Sequence, residues 1–389
     1  MKHRWPTKPL GEVVEISRER IEPTEHPDTA FNYIGLESIE AHTGNLLPYQ
    51  PTPGAEIRST KNVFHPGDIL YGKLRPYLNK VHLASTEGIC STDIYVLRPR
   101  QRQLHPSFAA NYLRSPSVLS VVSNAMAGAN LPRIGADALL GIPIPVPPLA
   151  EQERIVKLLD EADGLRQRRA QADRRTAALL PALFHEMFGD PATNPKRWPV
   201  VPALEAFEKI GYGVGTPPPF ADAGLIFLRG MNIKPSGINL DGVVYFADEH
   251  AEIMSRSKVH AGDVVIVRRG ANTGDAACIP PDLDGAYVGY DLILRPKREQ
   301  ILGEWFVALF NSPSVTRYIR QIRERAAQQG LNAAQIGSLQ IPLPPLSLQQ
   351  EFAGRVGEIR ALEAGQAASR RRLEALFQSL LHRAFAGEL

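Results

Sequence analysis

The chain repeats itself, and the repeat leaves few folds open. Ile144, Pro145, Pro147, Pro148 and Leu149 recur as Ile341, Pro342, Pro344, Pro345 and Leu346, and Gln152 recurs as Gln349, all displaced by 197 positions. The same displacement carries Leu97, Arg98 and Pro99 onto Leu294, Arg295 and Pro296, and Ser115, Pro116, Ser117 and Val118 onto Ser312, Pro313, Ser314 and Val315. Upstream it drifts, to 195 where His65, Gly67 and Asp68 meet His260, Gly262 and Asp263, and to 193 where Trp5 and Pro6 meet Trp198 and Pro199. A register held this long marks two copies of one structural unit. The drift places short insertions and deletions in the upstream part of each copy, while its end stays fixed.

Each copy opens on Trp-Pro and continues through short strand-like runs broken by Gly, Pro, Asn and Asp turns. A short helix follows (108–113 and 305–310), then a proline-rich joint, then a long helix. The chain holds 33 prolines in 389 residues, about 8.5% against a usual 5% or so. Four of them, at 143, 145, 147 and 148, form the first joint. Proline sits inside neither a helix nor a central strand, so the joint reads as an extended connector that ends one element and aims the next.

After each joint runs a heptad stripe. In the first helix it takes Ile155 and then Leu158, Ala162, Leu165, Arg169, Ala172, Thr176, Leu179 and Leu183; in the second, Phe352, Arg355, Ile359, Leu362, Gln366, Ser369, Leu373, Leu376 and Leu380. About 37 residues at 1.5 Å each make a helix some 55 Å long, and such a stripe calls for a partner helix. The expectation is an antiparallel coiled coil within the chain, with the polar centre (Arg169, Gln366, Ser369) setting the register and Pro181 kinking the first helix near its end. The fold class is therefore α+β. Residues 1–148 and 191–345 form two tandem mixed α/β domains, and residues 149–190 and 346–389 form two long helices, with an internal pseudo-two-fold axis.

Catalytic motifs are missing where they would be expected. The glycines at 211, 213 and 215 precede Pro217, Pro218 and Pro219, so no helix N-terminus follows to receive a phosphate. Pro217-Pro218-Pro219-Phe220 resembles the Asn/Asp-Pro-Pro-aromatic loop of amino methyltransferases but lacks its polar residue. Neither a Walker loop nor a His-Glu-x-x-His zinc motif occurs, and His65 and His260 read as turn residues before Gly-Asp. Two cysteines, Cys90 and Cys278, cannot build a disulfide framework or a thiolate metal cluster. With no apolar leader in the first residues and no apolar run of membrane length, a reducing cytoplasm is the expected location. The net charge of +3 does not by itself point to nucleic acid.

Basic residues interleaved with aromatics and amides are more telling. Copy one carries Lys73, Arg75, Tyr77, Asn79 and Lys80 directly after a strand; copy two carries Arg268, Arg269, Asn272 and Thr273 in the corresponding place. A second strip, Tyr33–Ile39, matches Phe227–Ile233 but differs in its polar positions, where copy two has Arg229, Asn232 and, just beyond, Lys234. Arg can read guanine edges, Asn adenine edges, and Lys can neutralise phosphates, so these twelve residues are the candidate DNA contacts. Matched scaffolds with different polar tips suit two readers of different sequences. A coiled-coil adaptor without readout of its own would explain the helices alone, and a methyltransferase or nuclease polypeptide is disfavoured by the missing motifs.

The joint Pro147–Ile155, its copy Pro344–Phe352, the tandem domains and the paired helices together resemble the DNA specificity subunit of type I restriction-modification systems, over essentially the whole chain. Copy two departs from the joint pattern, with Leu348, Gln350 and Glu351 where copy one has Glu151, Glu153 and Arg154. The resemblance implies that each domain is a target recognition domain for half of a bipartite, asymmetric site, and that the helices space the two. It further implies a chain without catalysis, metal or cofactor of its own. Its partners would be double-stranded DNA, two S-adenosylmethionine-dependent methyltransferase subunits, and restriction subunits using ATP and Mg.

Overall fold

A computed structural model describes residues 5–100, 102–125, 131–325 and 330–389, so residues 1–4, read above for a leader, lie outside the described residues. The chain forms two compact units: residues 1–170 together with 368–389, and residues 171–367.

The first unit begins by pairing its start with its joint. Strand Thr7–Pro9 runs antiparallel to Pro143–Pro145, with Lys8 opposite Ile144. The connector expected to be merely extended is thus half of a two-stranded ribbon, a setting where proline's missing N–H is tolerated because each strand has a free edge. A four-stranded antiparallel sheet follows in the order Val14–Ile16, Ile94–Pro99, Ile69–Gly72, Val81–Leu83. A second sheet takes the order Arg20–Ile21, Lys61–Phe64, Gly88–Cys90, Tyr33–Ile34, and its last pair is parallel.

The second unit repeats this plan. Val200–Pro202 pairs with Gln340–Pro342, and the main sheet runs Phe207–Tyr212, Leu292–Pro296, Val264–Ile266, Ala276–Cys278. Its smaller sheet, Val244–Phe246, Leu225–Leu228, Tyr287–Val288, again ends on a parallel pair. Helices Pro106–Leu113 and Gly303–Phe310 pack on the main sheets, followed by Pro116–Asn124 and Pro313–Arg325.

The repeated residues hold repeated bonds. Arg98 grips Asp68 through Nε and Nη2, both at 2.9 Å, and Arg295 grips Asp263 at 3.3 and 2.9 Å. Each aspartate also accepts the backbone N–H of the preceding histidine, His65 at 2.9 Å and His260 at 3.0 Å, so the His-x-Gly-Asp segments are turns, as read. Gln152 and Gln349, both fully buried, tie each joint to the loop before its first helix. Gln152 donates to the carbonyls of Gln103 and Pro147, Gln349 to those of Gln300 and Pro344.

The long helices span Leu149–Ala177, Leu179–Phe188 and Leu346–Ala386. The first breaks at Ala178, beside the residue whose carbonyl the Pro181 ring would strike in a continuous helix. In the first unit, Ile155 and Leu159 share a core with Phe108, Leu381 and Ala384, and the Phe385 ring meets those of Phe108 and Tyr112 edge-on. In the second, Phe184 and Phe188 pack on Phe352 and Trp305. Each unit thus contains two helical segments running antiparallel.

The heptad stripe differs from the expected one at five of its eighteen positions. Ile155, Ala162 and Phe352 are buried, and Leu183, Ile359, Leu373 and Leu380 half-buried, as the stripe requires. Leu165, Leu179, Leu362 and Leu376 are 43–48% exposed, and Arg355 is exposed as well, whereas Leu158 is half-buried like the others. The inward positions lie one residue further on: Leu159, Arg166, Val356, Phe377 and Ala384. Each helix end must face both a helical neighbour and a domain core, and the core draws in the next residue around the helix. The contacts nearer the middle are polar. Arg166 joins Glu374 at 2.8 Å and lies over the Phe377 ring at 4.3 Å in the first unit, while Gln366 donates to Thr176 Oγ1 at 2.8 Å in the second.

Candidate nucleic-acid interface

In each unit the central strand of the main sheet delivers a cation at its exit. The Lys73 N–H bonds the Asp93 carbonyl at 3.0 Å and its carbonyl accepts from Ile134 at 3.1 Å. The Arg268 N–H bonds Asp291 Oδ1 at 3.0 Å and its carbonyl accepts from Leu331 at 3.1 Å. These bonds make Lys73 and Arg268 equivalent positions.

Their side chains differ. Lys73 Nζ sits 5.2 Å from the Tyr95 ring centre, a single cation–π contact. The Arg268 guanidinium lies 4.9 Å from the Tyr212 ring and 4.4 Å from that of Tyr290, while its Nε donates to the Leu331 carbonyl at 3.2 Å. Arginine suits this slot because a planar, weakly hydrated cation stacks on aromatic faces. Asp291 lies 8% exposed beneath the loop. Burial pushes its carboxyl above the usual range, against the opposing pull of the Arg268 N–H and charge.

In the first unit Arg75 is exposed and adopts a left-handed conformation with φ 49°, fixed by its N–H bond to the Pro132 carbonyl at 2.8 Å. Tyr77 is 42% exposed. Lys80 Nζ donates to the Leu36 carbonyl at 2.6 Å. In the second unit Arg269 is exposed, Lys234 half-buried, and Asn272 donates to the Gly230 carbonyl at 3.3 Å. Arg229 reaches back to the Gly242 carbonyl through Nη2.

Three candidates turn inward, contrary to expectation. Asn79 is 7% exposed and donates to the Arg114 carbonyl at 2.8 Å. Asn232 is fully buried, accepting the Arg229 N–H and donating to the carbonyls of Asn239 and Asp241. Thr273 is 8% exposed and donates to Gly270. Short polar side chains in tight turns satisfy the backbone before they meet a ligand. Conversely, Tyr95, Tyr212, Tyr290 and Asp291 were not singled out in the sequence, because they lie far along the chain from the cations they hold.

No cluster of three metal-ligating side chains occurs among the described residues, and no helix there is long and apolar enough to cross a membrane. Cys90 and Cys278 are buried, and burial pushes the Cys90 thiol up to about 12, so it is unreactive at neutral pH.

Residues 2–172 match the family described as the type I restriction modification DNA specificity domain. The chain is 30% identical over 190 residues to the EcoDI specificity subunit of Escherichia coli, covering 48% of this chain and 42% of that protein. It is 25% identical over 317 residues to the EcoKI specificity subunit of Escherichia coli (strain K12), covering 76% and 68%. The match to the first of these relatives therefore spans less than half of that relative's length. A solved chain from a study of complex assembly and conformational transition in the type I R-M system shares the fold, with a TM-score of 0.63, 24% identity and coverage of 100% and 99%. Over residues 2–172 the chain is thus similar to the DNA specificity domain of type I restriction-modification systems, and over longer stretches to named specificity subunits of such systems.

Proposed function

We propose that this chain reads DNA sequence, each of its two domains (1–148 and 191–345) recognising one half of a bipartite, asymmetric site. One observation carries the reading. The two units share a hydrogen-bonded frame down to Asp68–Arg98 and Asp263–Arg295, yet present different chemistry at its equivalent exit, Lys73 on one tyrosine against Arg268 between two. An invariant frame with variable tips gives two sites of different base preference.

The helical segments 149–190 and 346–389, paired as an antiparallel coiled coil, space the half-sites. The chain supplies no chemistry and holds no cofactor. Methyltransferase subunits carrying S-adenosylmethionine take up adenines presented in each half-site, flipped out of the duplex, and restriction subunits using ATP and Mg join them in the cytoplasm. Arg75, Tyr77, Lys73, Lys80, Lys234, Arg269 and Asn272 are the side chains best placed to meet bases or phosphates. Arg268 acts mainly by holding its loop.

The test exchanges residues 1–145 for the same region of a relative and maps methylated motifs by sequencing. One half of the motif should change while the other and the gap stay fixed. An unchanged motif, or loss of selectivity in both halves, would refute modular reading. Arg75→Ala should alter methylation at one half-site only.

A further inference from the structure

Helix Pro313–Arg325 of the second unit buries Val315 and Ile319 (7% and 4% exposed) while Arg317, Tyr318, Arg320 and Gln321 face solvent. Its counterpart in the first unit, Pro116–Asn124, has Ser120, Val121, Ser123 and Asn124 at those positions and contains no charged residue. The shared packing therefore does not require the arginines. Among the described residues neither arginine donates a hydrogen bond or joins an ion pair. The Arg317 charge is felt only as a minor influence at Asp190, whose carboxyl is held low first by the Ala192 N–H and then by Ser314.

The helix also adjoins the candidate interface. A Cβ placed on Gly274, in the loop after Arg268, would lie 3.6 Å from Ile319 Cγ2. Beyond the helix the chain returns at Leu331 to bond the Arg268 carbonyl. Through Ile319 the helix thus packs beside the loop that carries Arg269.

We propose that the Arg317–Arg320 face of this helix binds the sugar-phosphate backbone of duplex DNA beside the second half-site, a contact the first unit lacks; the inference rests on the DNA-reading role above. Side chains three apart on a helix stand roughly 5–6 Å from each other at Cβ, so both guanidiniums can engage neighbouring phosphates of one strand. Tyr318, 47% exposed between them, adds a hydroxyl donor. Such a contact adds affinity and salt dependence without sequence preference.

The experiment measures binding of the full chain to a labelled random-sequence duplex between about 50 and 200 mM salt. Replacing both arginines (Arg317→Gln with Arg320→Gln) should flatten the slope of log affinity against log salt by about 1.8, from two phosphate contacts at roughly 0.9 each. The charge-preserving pair Arg317→Lys with Arg320→Lys should keep the parental slope, and the methylated motif should be unchanged in both. A parental slope in the glutamine variant overturns the backbone contact, as does a lost slope in the lysine variant or a shifted motif. If the parent chain binds no duplex at any salt, the DNA-reading role falls with it, a result distinct from a retained slope.

Discussion

Gln152 accepts the backbone N–H of His105 at 2.8 Å while buried entirely from solvent, and so fastens the start of a long helix to the loop that opens a helix of its own domain. Gln349 makes the same bond to Leu302 at 2.9 Å. Replacing either glutamine by leucine strands a buried N–H and two carbonyls, and each buried group left unpaired costs about 1–3 kcal/mol. Gln152→Leu and Gln349→Leu should each lower unfolding free energy by about 3 kcal/mol, measured as a shift in denaturant midpoint. A change below about 0.5 kcal/mol, the range of ordinary surface substitutions, would mean that the joint is not held in this way.

The corrected helix register makes a paired prediction. Leu362 is 48% exposed and Val356 is 3% exposed on the same helix. Leu362→Gln should alter stability by no more than about 0.5 kcal/mol, whereas Val356→Ala should cost about 1–2 kcal/mol through lost burial and a small cavity. Urea denaturation of both variants decides the register, and the reverse order would restore the stripe read from the leucines.

Trp305 occupies the place of Phe108 and is fully buried, yet its indole N–H finds no acceptor among the described residues. Trp305→Phe removes an unsatisfied donor worth about 1–3 kcal/mol and opens a cavity of opposing cost. The two should nearly cancel, leaving stability within about 1 kcal/mol of the parent. Loss of about 3 kcal/mol or more, usual for removing a whole aromatic ring, would show that the N–H is bonded in solution.

Asp291 gives a pH signature. Its carboxyl is pushed up by burial, so the folded chain binds its proton more readily than the unfolded chain does. Its contribution to stability therefore falls as pH rises from the unfolded value near 3.9 through the raised folded value, and is level above that. Asp291→Asn retains an oxygen acceptor for the Arg268 N–H and removes the titration. The stability of the variant relative to the parent should rise with pH across that window and then hold constant. A difference independent of pH would place the carboxyl in the ordinary range.

Much of the architecture was legible because the repeat was read twice. The proline joints, both long helices, the break near Pro181 and the buried heptad positions Ile155, Ala162 and Phe352 followed from spacing alone. Elsewhere the register slipped because Leu165 and Leu362 look like seam residues, and only the domain cores show that Leu159 and Val356 are drawn in instead. At the interface, composition identified the right loops but not the right atoms. Asn79 and Asn232 have the chemistry of base readers and spend it on turn carbonyls. Arg98 and Arg295 were visible as repeats, but the aspartates they grip lie in turns that open other strands, and register across a sheet is not written in local spacing.

The division of the chain also dictates an order of assembly during synthesis. The second unit is one continuous stretch, 171–367, whereas the first must wait for residues 368–389 before Leu381, Ala384 and Phe385 can reach the surface of Phe108 and Tyr112. On the ribosome the later-encoded unit has all its parts first, and the earlier one stays open, with apolar surface uncovered, until translation of the final helix is done. A premature stop after residue 367 but before Leu381 would therefore damage the domain encoded furthest from it.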